Sequence, residues 1–179
     1  MGDIGVHAFN LIEYTSGLEI THVLADLNNV SDSVNLDLDG TVLLRFNSKT
    51  KGVIRASQVA TGEENNITLA VYGSKSSLKW AQEKPNEIYF LSNDKPAQKL
   101  KPGHPYIKKF AAMGNHIPAG HPEGFFEAIA NIYDGTAKSI RGESFIPGEY
   151  PTVYEGVRGM KFIHGVVESD NKGNIWISL

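Results

Sequence analysis

Apolar positions along the chain change period twice. From Asp3 to Ser16 the residues Ile4, Ala8, Leu11 and Ile12 recur at three- and four-residue spacings, which predicts a helix with one apolar stripe, and Gly17 supplies a left-handed stop. From Leu18 to about Lys101 the period falls to two. Leu18, Ile20 and Leu24 are expected on one side of a first strand, with Thr21 and Val23 on the other. Val42, Leu44 and Phe46 then alternate with Leu43 and Arg45, and Val53 to Val59 forms a further strand. Three more follow, around Ile67-Leu69-Val71, Leu78-Trp80 and Ile88 to Leu91. Turn formers separate them at Asp39-Gly40, Lys51-Gly52, Glu63 to Asn66, Gly73-Ser74 and Asn93-Asp94, the punctuation of an antiparallel meander.

Beyond the strands, Gly103 to Gly120 is rich in Gly, Pro and His and reads as a long ordered loop with room for one helical turn. A helix is expected to open at His121-Pro122-Glu123, with Phe125, Ile129, Ile132 and Tyr133 as its stripe. The last helix opens at Pro151-Thr152, where Thr152 and Glu155 have capping-box spacing, and Val153, Val157, Met160, Ile163 and Val167 are expected to face the core. Ile175-Trp176-Ile177 makes a final strand. Strands and helices segregated in this way predict an α+β fold: an open, mainly antiparallel β-sheet with helices packed on one face. The other face needs a cover, and a second subunit or domain is the simplest one. There is no βαβ alternation and no Gly-rich loop after a strand, so a Rossmann domain is absent and no cofactor-binding residues are expected in this chain.

Composition narrows the partners. In 179 residues, 17 Lys and Arg face 20 Asp and Glu, and the net charge of -3 argues against nucleic acid or anionic membrane as a partner. Absence of cysteine excludes disulfide frameworks, cysteine–zinc sites and thiol nucleophiles, and is compatible with a reducing cytosol. No apolar run reaches the roughly 18 residues that span a bilayer. The start, MGDIGVHAFN, has no basic segment of the signal-peptide kind, so a cytoplasmic location is expected.

Asp3 and His7 lie four residues apart on the first helix and leave it on the same face. A carboxylate beside an imidazole can fix its tautomer and raise its basicity, which suits general acid/base work; the same spacing also makes an ordinary surface pair, with Asp3 facing the helix dipole. His104, His116 and His121 each adjoin a turn former, which points to caps and turns, and no metal site is expected. Asn35-x-Asp37-x-Asp39-Gly40 imitates half of an EF-hand loop, but Phe46 stands where the bidentate glutamate is required, and Asp39-Gly40 is expected as a hairpin turn. Trp80, Tyr89, Phe90 and Trp176 lack interleaved basic residues and read as sheet core or interface, not as a base-stacking platform.

Gly2-Asp3-Ile4-Gly5-Val6-His7 resembles the D-x-G-x-H motif of the glucose–fructose oxidoreductase/inositol dehydrogenase (Gfo/Idh/MocA) family. Four further stretches resemble the C-terminal halves of its sugar dehydrogenases: Ala56 to Ala60 with Gly62 to Asn65, Val71 to Lys75 running to Trp80, Gly120 to Phe125, and Tyr150 to Met160. The resemblance covers essentially the whole chain. It implies residues 1–179 as a substrate-binding and oligomerisation domain with a dihydrodipicolinate-reductase-like C-terminal fold. NAD or NADP would be bound mainly by an N-terminal Rossmann domain missing from this fragment. The implied reaction oxidises a hydroxyl of a sugar, inositol or related polyol. His7 would exchange the hydroxyl proton, Asp3 would orient or assist it, and Asn10 and His121 are substrate-side candidates. Many relatives have aspartate where Asn10 stands, and an amide cannot act as a base. Glu83-Lys84-Pro85 copies a family motif of the Rossmann half, but its place after D-x-G-x-H removes Lys84 from catalysis. The resemblance also implies a homo-oligomer through the open sheet face and inactivity of this domain alone. The alternative is a stand-alone carbohydrate-binding or oligomerisation module.

Overall fold

The computed structural model describes residues 1–144 and 146–179. In chain order the elements are α1 (Ile4–Ser16), β1 (Ile20–Asn28), β2 (Asp39–Phe46), β3 (Lys51–Ser57), β4 (Thr68–Tyr72), β5 (Ser76–Ala81), β6 (Ile88–Ser92), β7 (Gln98–Leu100), α2 (Lys109–Met113), α3 (Phe125–Ile140), α4 (Val153–Asn171) and β8 (Ile177–Ser178). The class is α+β, with every strand pairing antiparallel. The strands divide between two open four-stranded sheets, β3-β2-β1-β8 and β4-β5-β6-β7. They belong to two compact units, residues 1–63 with 151–179 and residues 64–150.

In the first unit, strict alternation on β2 buries Gly40, Val42, Leu44 and Phe46 and exposes Thr41, Leu43 and Arg45. β1 departs from the expected alternation. Its register against β2 slips between Ile20 and His22, so Ile20, Val23 and Ala25 are all buried and Val23 changes sides. A bulge inserts one residue and reverses the phase of everything after it. Leu24, Leu43 and Val53 then align across the sheet on the other face. The buried face carries α1 and α4, whose Phe9 and Phe162 rings stack with centroids 4.6 Å apart among Ile20, Val23, Val42, Leu44 and Val166.

α4 turns a different face inward from the one its apolar stripe suggests. Gly159, Phe162, Gly165, Val166 and Ser169 are buried, while Val153, Val157, Met160 and Val167 are exposed. Close approach decides this: a Cβ on Gly159 would meet Val6 Cγ2 at 3.1 Å, and one on Gly165 would meet Leu179 Cδ2 at 2.5 Å. Only the small-residue face lets the helix settle onto α1 and β1. At its C-terminal end, the buried Ser169 hydroxyl accepts from Ala25 N at 2.8 Å and donates to Ile175 O at 2.6 Å. Asp170 Oδ1 accepts from Leu27 N at 2.8 Å, and Asn174 Nδ2 donates to Ala25 O at 2.7 Å. These side chains occupy the edge of β1 beyond the two residues that β8 pairs, His22 and Val23.

In the second unit, register places Leu69, Trp80 and Ile88 on one sheet face with Val71, Leu78 and Phe90. α2 is the single helical stretch expected in the Gly/Pro loop. α3 starts at Phe125, not at His121-Pro122-Glu123, because Gly124 takes the N-cap and its N–H donates to Glu127 Oε2 at 2.7 Å. Phe125, Ile129, Ile132 and Tyr133, expected as a core stripe, are exposed.

Candidate active site

α1 is held at both ends. Arg158, reaching from α4, pairs with Glu13 at 2.6 Å and donates to Ile20 O at 2.7 Å, while Glu13 Oε1 accepts from Ile20 N at 2.7 Å. A cation bridging a carboxylate and a strand carbonyl ties the last turn of α1 to β1 and α4 together. At the other end, Asp3 is the N-cap residue, with φ -90° and ψ -79°, close enough to helical geometry that the i,i+4 relation to His7 holds. Both side chains are exposed, and Asn10 lies one turn further on, also exposed.

The Asp3 carboxylate does not cap the helix. Its Oδ2 accepts from Gln58 Nε2 at 2.7 Å, and Gln58 N in turn donates to Leu38 O at 2.7 Å. Among the described residues no hydrogen bond or ion pair joins Asp3 to His7. The helix thus presents an acid with a fixed partner and an imidazole open to solvent, side by side.

His121 belongs to the second unit. Its Nδ1 lies 3.1 Å from Pro118 O, and a carbonyl only accepts, so Nδ1 is the donor of this bond. The same loop is knitted by Glu123, whose Oε1 accepts from His116 N at 2.6 Å and Ile117 N at 2.7 Å. Asn86 Nδ2 donates to Glu123 O at 2.7 Å, and Asn86 Oδ1 accepts from Glu123 N at 3.1 Å. His116 Nε2 meets Asn131 Oδ1 at 2.7 Å, and His104 stacks on Tyr106. Lys84 lies in the turn between β5 and β6. Asp37 is occupied by the Met1 ammonium, and Asp39 stands 3.8 Å from Arg55. Among the described residues no group of three His, Asp or Glu is placed to hold a metal ion, and no helix is long and apolar enough to cross a membrane. No described strand runs through a glycine-rich turn into a helix beside a parallel neighbour.

Residues 1–79 match the model of the GFO/IDH/MocA C-terminal domain. Along 185 aligned residues the chain is 28% identical to an uncharacterized oxidoreductase, YfiI, of Bacillus subtilis (strain 168), covering 99% of this chain and 47% of that protein. An oxidoreductase from Sinorhizobium meliloti superposes with a TM-score of 0.92 at 39% identity, over 98% of this chain and 51% of that one. An inositol dehydrogenase homolog from Azotobacter vinelandii, solved with NAD+, gives a TM-score of 0.88 at 28% identity over 99% of this chain and 48% of that one. The same homolog has also been solved with NADH and myo-inositol, and that complex gives 0.86 at 27% identity, over 99% of this chain and 49% of that one. Residues 1–79 thus belong to the GFO/IDH/MocA C-terminal domain family. The chain spans about half the length of the curated relative and of the solved structures it matches.

Proposed function

We propose that this chain is the substrate-binding and proton-accepting half of an NAD- or NADP-dependent dehydrogenase that oxidises a hydroxyl of a sugar, inositol or related polyol in the cytoplasm. The observation that carries the reading is the exposed Asp3–His7 pair at the start of α1, within a fold shared with an inositol dehydrogenase homolog that has been solved with NADH and myo-inositol. His7 takes the proton of the substrate hydroxyl, and Asp3 orients the imidazole. Asn10 offers an amide to a neighbouring hydroxyl; His121, in the second unit, is a separate substrate-side candidate. A nicotinamide, held by the part of the longer protein beyond this chain, supplies the acceptor for the hydride. The helix-free sheet face around Leu24, Leu43 and Val53 forms the contact between copies.

The test is sugar and inositol oxidation by the full-length gene product with NAD and NADP, wild type against His7→Ala. Loss of the acid/base group should lower turnover by about a hundredfold or more, the usual worth of a positioned proton acceptor. Undiminished turnover removes His7 from the chemistry. A reading frame that encodes no nucleotide-binding half overturns the dehydrogenase reading in favour of a stand-alone carbohydrate-binding module.

A further inference from the structure

We infer that Gln58 is a positioning residue for the Asp3–His7 pair, an inference that rests on the dehydrogenase reading above. An aspartate at a helix N-cap ordinarily accepts from the backbone N–H groups of the first turn. Asp3 makes no such bond, and its carboxylate is instead engaged at Oδ2 by the Gln58 side-chain amide at 2.7 Å. The amide reaches it across 55 residues of sequence. Gln58 stands immediately after β3, and its own backbone N–H is held on Leu38 O, just ahead of β2. The donor is therefore delivered by the rigid sheet, not by the helix that carries the acid.

The chemistry of the donor matters. An arginine or lysine in this place would neutralise the carboxylate. A neutral amide orients one oxygen and leaves the charge intact, with Oδ1 available toward the imidazole or a substrate hydroxyl. A group meant to stabilise a developing imidazolium has to keep its negative charge and hold still, and Gln58 supplies the second condition without spoiling the first.

The experiment uses the full-length protein with Gln58→Leu, Asp3→Asn, the double variant and Gln58→Glu, each first checked by thermal melting. Gln58→Leu should lower kcat about tenfold while the substrate and nicotinamide KM values move less than about threefold, the pattern of an interaction made in the transition state. In the Asp3→Asn background the same substitution should cost less than about twofold, because residues acting through one another are not additive. Gln58→Glu sets two carboxylates against each other, so it should fall below Gln58→Leu at alkaline pH. It should recover relative to wild type as pH drops, when one of the pair protonates and donates. A merely structural glutamine would show none of this pH signature.

Equal fold-losses from Gln58→Leu in both backgrounds, or wild-type kinetics in Gln58→Leu with Asp3→Asn impaired, would overturn the role of Gln58 and leave the dehydrogenase reading standing. An Asp3→Asn variant with unchanged kcat would overturn the roles of Gln58 and Asp3 alike, while in this experiment the dehydrogenase reading is overturned only by absence of turnover in the wild type. If Gln58→Leu melts early, Gln58→Met and Gln58→Glu carry the same comparison.

Discussion

The hydroxyl of Ser169 takes one hydrogen bond from a strand and gives another to the segment leading into β8, inside a core with no access to water. Removing it strands the buried Ala25 N–H. Ser169→Ala should therefore lower unfolding free energy by about 1–3 kcal/mol, the cost of an unpaired buried polar group, and urea denaturation measures it directly. An alanine at the exposed Ser74 serves as the control, with an effect within about 0.5 kcal/mol. Spacing alone brought Asp3 and His7 to one helix face, since an i,i+4 relation is local. Neither Gln58 nor Ser169 could be found that way: their partners are 55 and 144 residues distant, and only the folded sheet brings them within reach. Ala56-Ser57-Gln58 stood out as a family-like stretch without revealing what the glutamine touches.

At the scale of elements, α4 shows what a pattern can and cannot give. Its start was legible, because a capping box is a local arrangement. The Thr152 hydroxyl accepts from Tyr154 N at 3.2 Å, and Thr152 N donates to Glu155 Oε2 at 2.7 Å. Its inward face was not legible. The helix carries two candidate faces, and the less apolar one wins because Gly159 and Gly165 allow contact that larger residues forbid. The bulge in β1 defeats alternation for a similar reason, since one inserted residue is invisible to a period of two.

The cap also makes a pH prediction. Hydrogen bonds from the Thr152 hydroxyl and then from its backbone N–H hold the Glu155 carboxyl below its usual value. A carboxyl lowered by folding contributes stability above its unfolded pKa and loses it as pH falls through the folded value. The stability difference between wild type and Glu155→Gln should therefore be full at neutral pH. It should shrink as pH drops below the ordinary glutamate value of about 4.3, followed by urea midpoints at successive pH values. A difference that stays constant from neutrality to pH 3 would assign the cap to geometry alone.

For the whole molecule, the order of helix, strands, helices and strand gave the α+β class and one open antiparallel sheet, where the structure has two. The division into two units did not announce itself, because the turn between Glu63 and Asn66 looks like every other turn in the meander while marking the boundary. Nor did the pattern say that β8 returns to β1. The exposed row of Leu43 and Val53, with half-buried Leu24 beside it, underlies the proposed contact between copies. Leu43→Glu with Val53→Glu should convert the oligomer to monomer by light scattering, because buried unpaired carboxylates oppose such a contact. A strict monomer for the wild type at high concentration would remove that contact altogether.

The edge of β1 has a further consequence for how copies can meet. Past Val23, the N–H groups of Ala25 and Leu27 are already claimed by Ser169 and Asp170, and the Ala25 carbonyl by Asn174. An incoming strand finds both N–H donors and the Ala25 carbonyl taken along that stretch, which opposes lengthening of the ladder there by another molecule. Edge-to-edge growth, which has no natural end, is thereby hindered along this stretch of β1, and a proposed contact through the sheet face can instead close on itself after a fixed number of copies.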